Sequence, residues 1–262
     1  RSRMANIFIC LGLVVGGLCL AKLSHLMDTQ WAFSLILFIA ALARFGSVYF
    51  LSRQYEKTSV EKIRSMSVAH ALRWVFSRRV RYIILFQFVT QLCVQISAPF
   101  FNPYMLKNLF LGYQQYMILL AAALLARVIS YAVFPRWIRG FGVKYLVLFG
   151  ALGIVPLPYF WSVSDDFFVL LTMQVISGCT WGAFELGIML YLLETQEPNE
   201  RARLLALNNF FNSTAMLIGV IIGGLVLQSL HVNREAYETL FTWSSAARLL
   251  PLVFLPAFFN HP

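Results

Sequence analysis

The sequence contains little charge: 12% of its 262 residues are Asp, Glu, Lys or Arg, whereas 60% are hydrophobic. A soluble domain has roughly 25% charged residues, so this composition excludes an ordinary water-soluble enzyme and a disordered chain. It also excludes a nucleic-acid-binding protein, whose basic side chains would cover a hydrated surface. The class that remains is an integral membrane protein.

The sequence also lacks the reactive groups of an enzyme or a metalloprotein. Its four cysteines lie inside apolar runs without paired spacing, and its four histidines lie in loops or near the C-terminus. It has neither a serine nucleophile elbow nor a phosphate loop of the Gly-x-x-x-x-Gly-Lys type. We therefore predict no catalytic residue, no metal site and no cofactor.

Eight apolar runs are long enough to cross a bilayer. Because the runs are continuous rather than alternating, they predict helices, and hence an all-α, polytopic transmembrane bundle. We number the predicted spans one to eight: Met4–Leu23, Trp31–Ser52, Tyr82–Pro103, Tyr113–Pro135, Tyr145–Trp161, Phe167–Leu193, Leu204–Leu230 and Leu240–Phe259.

The basic residues are distributed unevenly between the loops. With Arg1 in the cytoplasm, 15 of the 21 Lys and Arg residues lie in cytoplasmic segments, three lie outside and three lie within spans. This bias predicts a multi-pass protein of the inner or plasma membrane with both termini of the chain cytoplasmic. The net charge of +10 thus reflects topology and attraction to anionic lipid, and no nucleic-acid partner is expected.

An internal repeat relates the first span to the seventh. Leu11–Leu23 and Ile218–Leu230 share six identities in 13 positions. Each copy contains a Gly-x-x-x-Gly pair, which allows close packing of helices in lipid; the pairs are Gly12/Gly16 and Gly219/Gly223. The alternative is chance similarity between apolar helices.

The repeat suggests how the chain is organised. Residues 82–262 would form a six-helix C-terminal half, and residues 1–52 the last two helices of an N-terminal half, with about four more helices of the same protein expected before Arg1. Residues 53–81 would form a basic, amphipathic cytoplasmic central loop lying on the membrane surface, or alternatively a solvated linker.

Two loops carry a family resemblance that extends over the whole chain. Arg136–Lys144 resembles the Gly-x-x-x-Asp-Arg-x-Gly-Arg-Arg loop of the major facilitator superfamily, and departs from it at Arg139 and Gly140, where the family has Asp-Arg. Pro198–Arg203 resembles the family's Pro-x-x-Arg-x-Arg segment before the seventh span. The resemblance implies two six-helix halves with a central cavity, which spans three, four, six and seven line and spans five and eight support.

Polar side chains within the spans predict the substrate pathway, because polar groups in lipid are costly unless they face protein or water. Several follow helical periodicity along one face of a span. The candidate pathway and coupling residues are Arg127, Glu185, Gln87, Gln91, Gln95, Gln174, Trp181, Tyr131, Asn208 and Asn212.

Two opposite charges lie at equal depth in the predicted bundle. Arg127 precedes Arg136, and Glu185 precedes Glu194, by the same number of residues, which places both charges roughly 13 Å inside the cytoplasmic face. We predict that Arg127 and Glu185 form an ion pair. The pair either couples transport to proton movement or serves as a permanent structural contact.

Arg44 and Arg248 are equivalent in the repeat and lie mid-span. We expect them to snorkel or to cap carbonyl groups of a neighbouring helix. Binding of an anionic substrate group is the alternative.

The resemblance implies a secondary transporter that moves a small solute of unknown identity across the lipid bilayer by alternating access, with protons as a candidate coupling ion. A non-transporting membrane sensor or assembly protein on the same fold, and a membrane enzyme, are the alternatives. Transport predicts a water-accessible cavity lined by Gln87, Gln91, Arg127 and Glu185, whereas dry, tightly packed helices there would favour the sensor.

Overall fold

The computed structural model describes residues 29–53, 81–194 and 198–254, together with the isolated positions 12, 15, 16 and 19. The chain divides into two compact units, Arg1–Ser67 and Val68–Pro262. Every regular element of the described residues is helical, which confirms the predicted all-α class. The predicted central loop, apart from its two end residues, and most of the first span lie outside the described residues.

The first unit contains one described helix, α1 (Thr29–Ser52), which covers the predicted second span. The helices of the second unit are α2 (Arg81–Gln95), α3 (Phe101–Lys107), α4 (Tyr113–Phe141), α5 (Val143–Ile154), α6 (Leu157–Val163), α7 (Phe167–Glu194), α8 (Pro198–Ser229) and α9 (Arg234–Ala247). Short 3₁₀ turns follow α2 at Ala98–Phe100 and α9 at Leu250–Phe254.

Spans three to seven of the prediction are confirmed. Among the described residues, five helical stretches are long and apolar enough to cross a membrane, namely Arg81–Lys107, Tyr113–Phe141, Val143–Val163, Phe167–Glu194 and Arg203–Ser229. In the first unit, Ser34–Phe50 is a shorter apolar stretch. The family-like loop segments at Arg136–Phe141 and Pro198–Arg203 are helical ends rather than loops.

The end of α4 corrects one predicted boundary. The helix continues past Pro135 to Phe141 and ends at Gly142, whose φ of +85° is a conformation that favours glycine. The amide of Gly142 still donates to the carbonyl of Ile138, at 2.9 Å, so the backbone turns directly from α4 into α5.

Three predicted spans are not continuous helices. Span three breaks between α2 and α3, span five breaks between α5 and α6, and span eight breaks after Ala247. Each break lies close to a proline, namely Pro99, Pro156 or Pro251. Proline has no amide hydrogen, and its ring clashes with the carbonyl four residues earlier, so the regular hydrogen-bond ladder stops there.

Arg248 joins the three interrupted helices. Its side chain is buried, and its Nη1 donates to the carbonyl of Ile154 at 2.8 Å. Pro158 stands where the helical donor to that carbonyl would be. Nη2 of Arg248 donates to Ser97 Oγ at 3.0 Å, in the break of span three. The expectation that Arg248 caps carbonyl groups of a neighbouring helix is therefore confirmed.

Two serines on α9 complete this junction. Ser244 Oγ donates to the carbonyl of Cys93 at 2.9 Å, and Ser245 Oγ donates to the carbonyl of Val155 at 2.7 Å. Because the amide of Ser97 bonds the carbonyl of Val94, the Cys93 carbonyl lacks its usual helical donor. Side chains of span eight thus satisfy the backbone groups that the breaks in spans three and five release.

Glycines bring α7 into close contact with α4. A Cβ at Gly178 would collide with the Ala123 carbonyl and lie 2.7 Å from the Ala126 Cβ. A Cβ at Gly182 would lie 2.8 Å from the Ser130 Cβ. Since lipid-immersed helices associate through close packing of small residues, these two glycines determine the spacing between α4 and α7.

We expect Arg248→Met to destabilise the protein strongly. The substitution leaves the Ile154 carbonyl buried without a donor, and hydrogen bonds from charged groups contribute about 1.5–3 kcal/mol each. The free energy of unfolding, measured by denaturation of the purified protein in detergent, should fall by about 2 kcal/mol or more. Arg139→Met, at an exposed position, is the control; an equal loss of stability in both variants would contradict the role of Arg248.

Gly178→Ala should also destabilise the protein, by about 1–3 kcal/mol, because the added methyl group overpacks the contact between α4 and α7. Gly140→Ala is the matched control, since a Cβ there meets nothing within 4 Å. The control should change stability by about 0.5 kcal/mol or less in the same denaturation assay. An equal free energy of unfolding for the two variants would show that α4 and α7 are not tightly packed at Gly178.

Candidate functional site

A cavity of about 350 Å³ opens in the second unit between the α2–α3 segment, α4, α6 and α7. Its wall combines polar and apolar side chains, with charged groups at Arg127, Glu185 and Arg248. A cavity of this size suits a small solute rather than a macromolecule. The remaining polar lining residues are Gln91, Gln95, Asn102, Gln174 and Ser177.

The ion pair predicted from equal depth is present on the cavity wall. Arg127 Nη1 on α4 lies 3.4 Å from Glu185 Oε1 on α7. The side chain of Arg127 is 29% exposed and that of Glu185 is 41% exposed, so neither partner is fully enclosed by the described residues. The hydroxyl of Tyr131, one turn along α4 from Arg127, donates to the other carboxylate oxygen of Glu185.

The close approach of α4 and α7 explains this geometry. Glu185 follows Gly178 and Gly182 along α7, and Arg127 and Tyr131 lie on the part of α4 that these glycines contact. Side chains three or four residues apart share one helix face, so a common register brings both donors to the same carboxylate. Arg127 Nε is buried and has no hydrogen-bond partner among the described residues.

The structure separates the other predicted pathway residues into two groups. Gln91, Gln95, Gln174 and Trp181 line the cavity together with Arg127 and Glu185. Gln87, Tyr131, Asn208 and Asn212 are not lining residues of this cavity. Tyr131 instead donates a hydrogen bond to Glu185, which lines the cavity.

The residues that do not line the cavity have other surroundings. Asn208 on α8 is buried, and the amide nitrogen of Asn212 faces the sulfur of Met216 at 3.8 Å. The side-chain amide oxygens of Gln87 and Asn212 are buried and have no hydrogen-bond partner among the described residues. A pathway role for these residues stays a prediction.

Spans five and eight contribute more to the cavity than the family resemblance implied. Leu157 and Trp161 on α6 line it, as does Arg248 after α9. The sequence feature that could have predicted the contribution of span five is the pair of prolines Pro156 and Pro158, which interrupt the helix next to the cavity. An intramembrane arginine in span eight was the second signal.

The glycine pairs differ between the two copies of the repeat. A Cβ at Gly219 would lie 2.5 Å from the carbonyl of Leu92, and one at Gly223 would collide with the carbonyl of Ile96. These contacts pack α8 tightly on the end of α2. At Gly12 and Gly16 nothing described lies within 4 Å of such an atom, and their packing role stays a prediction.

A second ionic cluster links the segment between α6 and α7 to α9. Arg234 bonds Glu238 through Nε at 2.8 Å, and its Nη2 bonds Asp165. These two carboxylates, Glu238 first and then Asp165, raise the pKa of the Arg234 guanidinium above its already high ordinary value. Because Arg234 and Asp165 are about half exposed, this cluster ties the helices together without forming a buried charge site.

The described residues contain no group of three or more His, Cys, Asp or Glu side chains that could hold a metal ion. Cys93 is buried, and its carbonyl rather than its thiol takes part in the Arg248 junction. The polar groups on the cavity wall offer hydrogen bonding and ion pairing.

Comparison with known proteins gives the family. No curated protein sequence matches the chain. The profile described as Major Facilitator Superfamily matches residues 83–259, which is more than half of the chain. The match begins in α2 and includes every helix that surrounds the cavity, in agreement with the apolar helices described above. The chain is therefore a multi-pass integral membrane protein that belongs to the major facilitator superfamily of transporters.

Proposed function

We propose that the chain belongs to a secondary transporter that moves a small solute by alternating access and couples this movement to protons through Glu185 and Arg127. The observation that supports the proposal is the position of this ion pair on the wall of a cavity of about 350 Å³. An open space between the helices at this site favours transport over a non-transporting sensor, which would be expected to have dry, packed helices there.

The geometry around Glu185 suits a carboxylate that gains and loses a proton. The groups that bond it are Arg127 and Tyr131, both on α4. Protonation of Glu185 removes the charge that attracts Arg127, while Tyr131 can still bond the neutral acid. The 3.4 Å separation of Arg127 from Glu185 and the partial exposure of both side chains leave the arginine able to change partners.

The organisation of the whole transporter is part of the same proposal. Residues 82–262 would form the C-terminal half, residues 53–81 the cytoplasmic central loop, and residues 1–52 the last two helices of an N-terminal half. The family match at residues 83–259 and the glycine repeat support this division. The excess of basic residues in alternate loops supports cytoplasmic termini in the inner or plasma membrane.

Glu185→Gln should abolish proton coupling and leave solute exchange intact. The amide keeps the size of the acid and its hydrogen bond with Tyr131, but it cannot release a proton. The full-length protein would be reconstituted in vesicles that contain the pH dye pyranine and then challenged with monocarboxylates, amino acids and sugars. Solute-evoked pH changes should fall at least about tenfold, while exchange of labelled solute stays within about twofold.

Glu194→Gln is the matched control for this experiment. Glu194 ends the same helix in an exposed position, so its substitution should alter neither signal. If Glu185→Gln keeps both the pH signal and the exchange, the coupling role is wrong and the pair is a structural contact.

The same variant should be nearly as stable as the wild type. Partly exposed ion pairs contribute about 0–1 kcal/mol, and this one is long and solvated. We therefore expect Glu185→Gln to lower the free energy of unfolding by less than about 1 kcal/mol in detergent denaturation. A loss comparable with that of Arg248→Met would instead identify the pair as a structural contact, whose loss would reduce transport by loosening the fold.

A further inference from the structure

The charged groups of the cavity do not balance. Three ionisable side chains in the described part of the chain line it, namely Arg127, Glu185 and Arg248. Glu185 is engaged by Arg127 and Tyr131. Within the described ranges, Arg248 bonds only carbonyl and hydroxyl oxygens, which carry no formal charge. The described lining therefore has one positive charge more than it has negative charges.

The cavity also holds donors that have no acceptor. Arg248 is 4% exposed, and its Nε is buried without a hydrogen-bond partner among the described residues. Arg127 Nε is likewise buried and has no hydrogen-bond partner among the described residues. Since an Nε–H group of arginine can only donate, the described protein atoms leave both guanidinium groups incompletely hydrogen-bonded beside the cavity.

The other lining residues indicate the rest of the solute. Gln91, Gln95 and Gln174 add amide groups on the same wall, whereas Phe101, Trp161 and Trp181 give it an aromatic surface. A solute with one anionic group and an apolar body would match both parts. An isolated cation is disfavoured, because repulsion from Arg248 is weakly screened inside a protein.

We infer that the solute of this cavity is a small organic monoanion, a carboxylate with an apolar body, which the excess positive charge of Arg248 selects. The inference rests on the proposed transport function and specifies its substrate class. Arg248 acts through the electrostatic field of its charge while it continues to join the interrupted helices. The cation that stabilises the fold is thus also the cation that selects the solute.

A set of three probes that share one ring and carry an anionic, a neutral or a cationic group tests this inference. Cyclohexanecarboxylate, cyclohexanecarboxamide and cyclohexylmethylammonium have the same ring and do not absorb where tryptophan is excited. Each would be titrated into the purified full-length protein in a non-ionic detergent while tryptophan fluorescence is recorded, because Trp161 and Trp181 line the cavity. Trp161→Phe and Trp181→Phe variants would assign the signal to the cavity.

The carboxylate should bind at least about tenfold more tightly than the amide, and the ammonium should bind most weakly. Equal or tighter binding of the amide or the ammonium overturns the inference. So does the absence of a fluorescence change with the carboxylate.

Two substitutions test the origin of the preference. Arg248→Gln should bring the carboxylate and amide affinities within about threefold of each other. Because this variant also loosens the helix junction, Asn102→Asp provides a second test, since it adds a negative charge to the lining without touching Arg248. It should weaken carboxylate binding at least about tenfold and change amide binding much less, so that the preference for the carboxylate is lost.

Asn233→Asp is the matched control for Asn102→Asp. Asn233 caps α9, because its Oδ1 accepts a hydrogen bond from the backbone nitrogen of Ala236 at 2.7 Å, and an aspartate side chain can accept the same bond. Because Asn233 is exposed and is not a lining residue, its substitution should leave all three affinities unchanged. A charge preference that survives Asn102→Asp overturns the inference.

The binding assay separates this inference from the proposed coupling function. Preferential binding of the carboxylate supports the substrate class even if Glu185→Gln retains full proton coupling. Conversely, a pH signal that depends on Glu185 but is evoked by neutral solutes alone overturns the substrate class and leaves the transport proposal standing.

Discussion

The burial of one guanidinium group among three interrupted helices is the interaction on which the second unit depends. Prolines stop the backbone ladder in spans three, five and eight, and each break exposes carbonyl groups that lipid cannot hydrogen-bond. Arginine has five donors in a planar fork, so Arg248 can reach Ile154 and Ser97 on different segments at once. The segments beyond the breaks in spans three and five, α3 and α6, then form part of the cavity wall.

The ion pair depends on a different constraint, the absence of side chains at Gly178 and Gly182. These positions allow α4 and α7 to approach until backbone and Cβ atoms touch. At that distance Arg127 and Tyr131 reach one carboxylate without closing the cavity. The result is a charge pair whose side chains stay partly exposed, whereas in a fully buried pair the low dielectric would strengthen the attraction between the two charges.

Helical geometry alone predicted part of the arrangement around the cavity. Rise per residue placed Arg127 and Glu185 at equal depth, and the four-residue spacing placed Gln91 and Gln95 on one face. It was less informative for Gln87, Asn208 and Asn212, since periodicity defines a face but not the helix that covers it. The breaks in spans three, five and eight were missed because hydropathy is insensitive to a lost backbone donor, although Pro99, Pro156 and Pro251 were visible.

The sequence by itself determined the membrane class, the helical architecture, most span positions and the asymmetric distribution of basic residues. These properties depend on the composition and order of residues along the chain and on the need of the backbone for internal hydrogen bonds in lipid, and they need no knowledge of which helices are neighbours. Only the tertiary structure decided that Arg248 joins three helices, that Leu157 and Trp161 reach the cavity and that one positive charge there lacks a counterion among the described residues. Such features depend on which donors and acceptors meet across helices, and that is decided by helix breaks and by close glycine contacts.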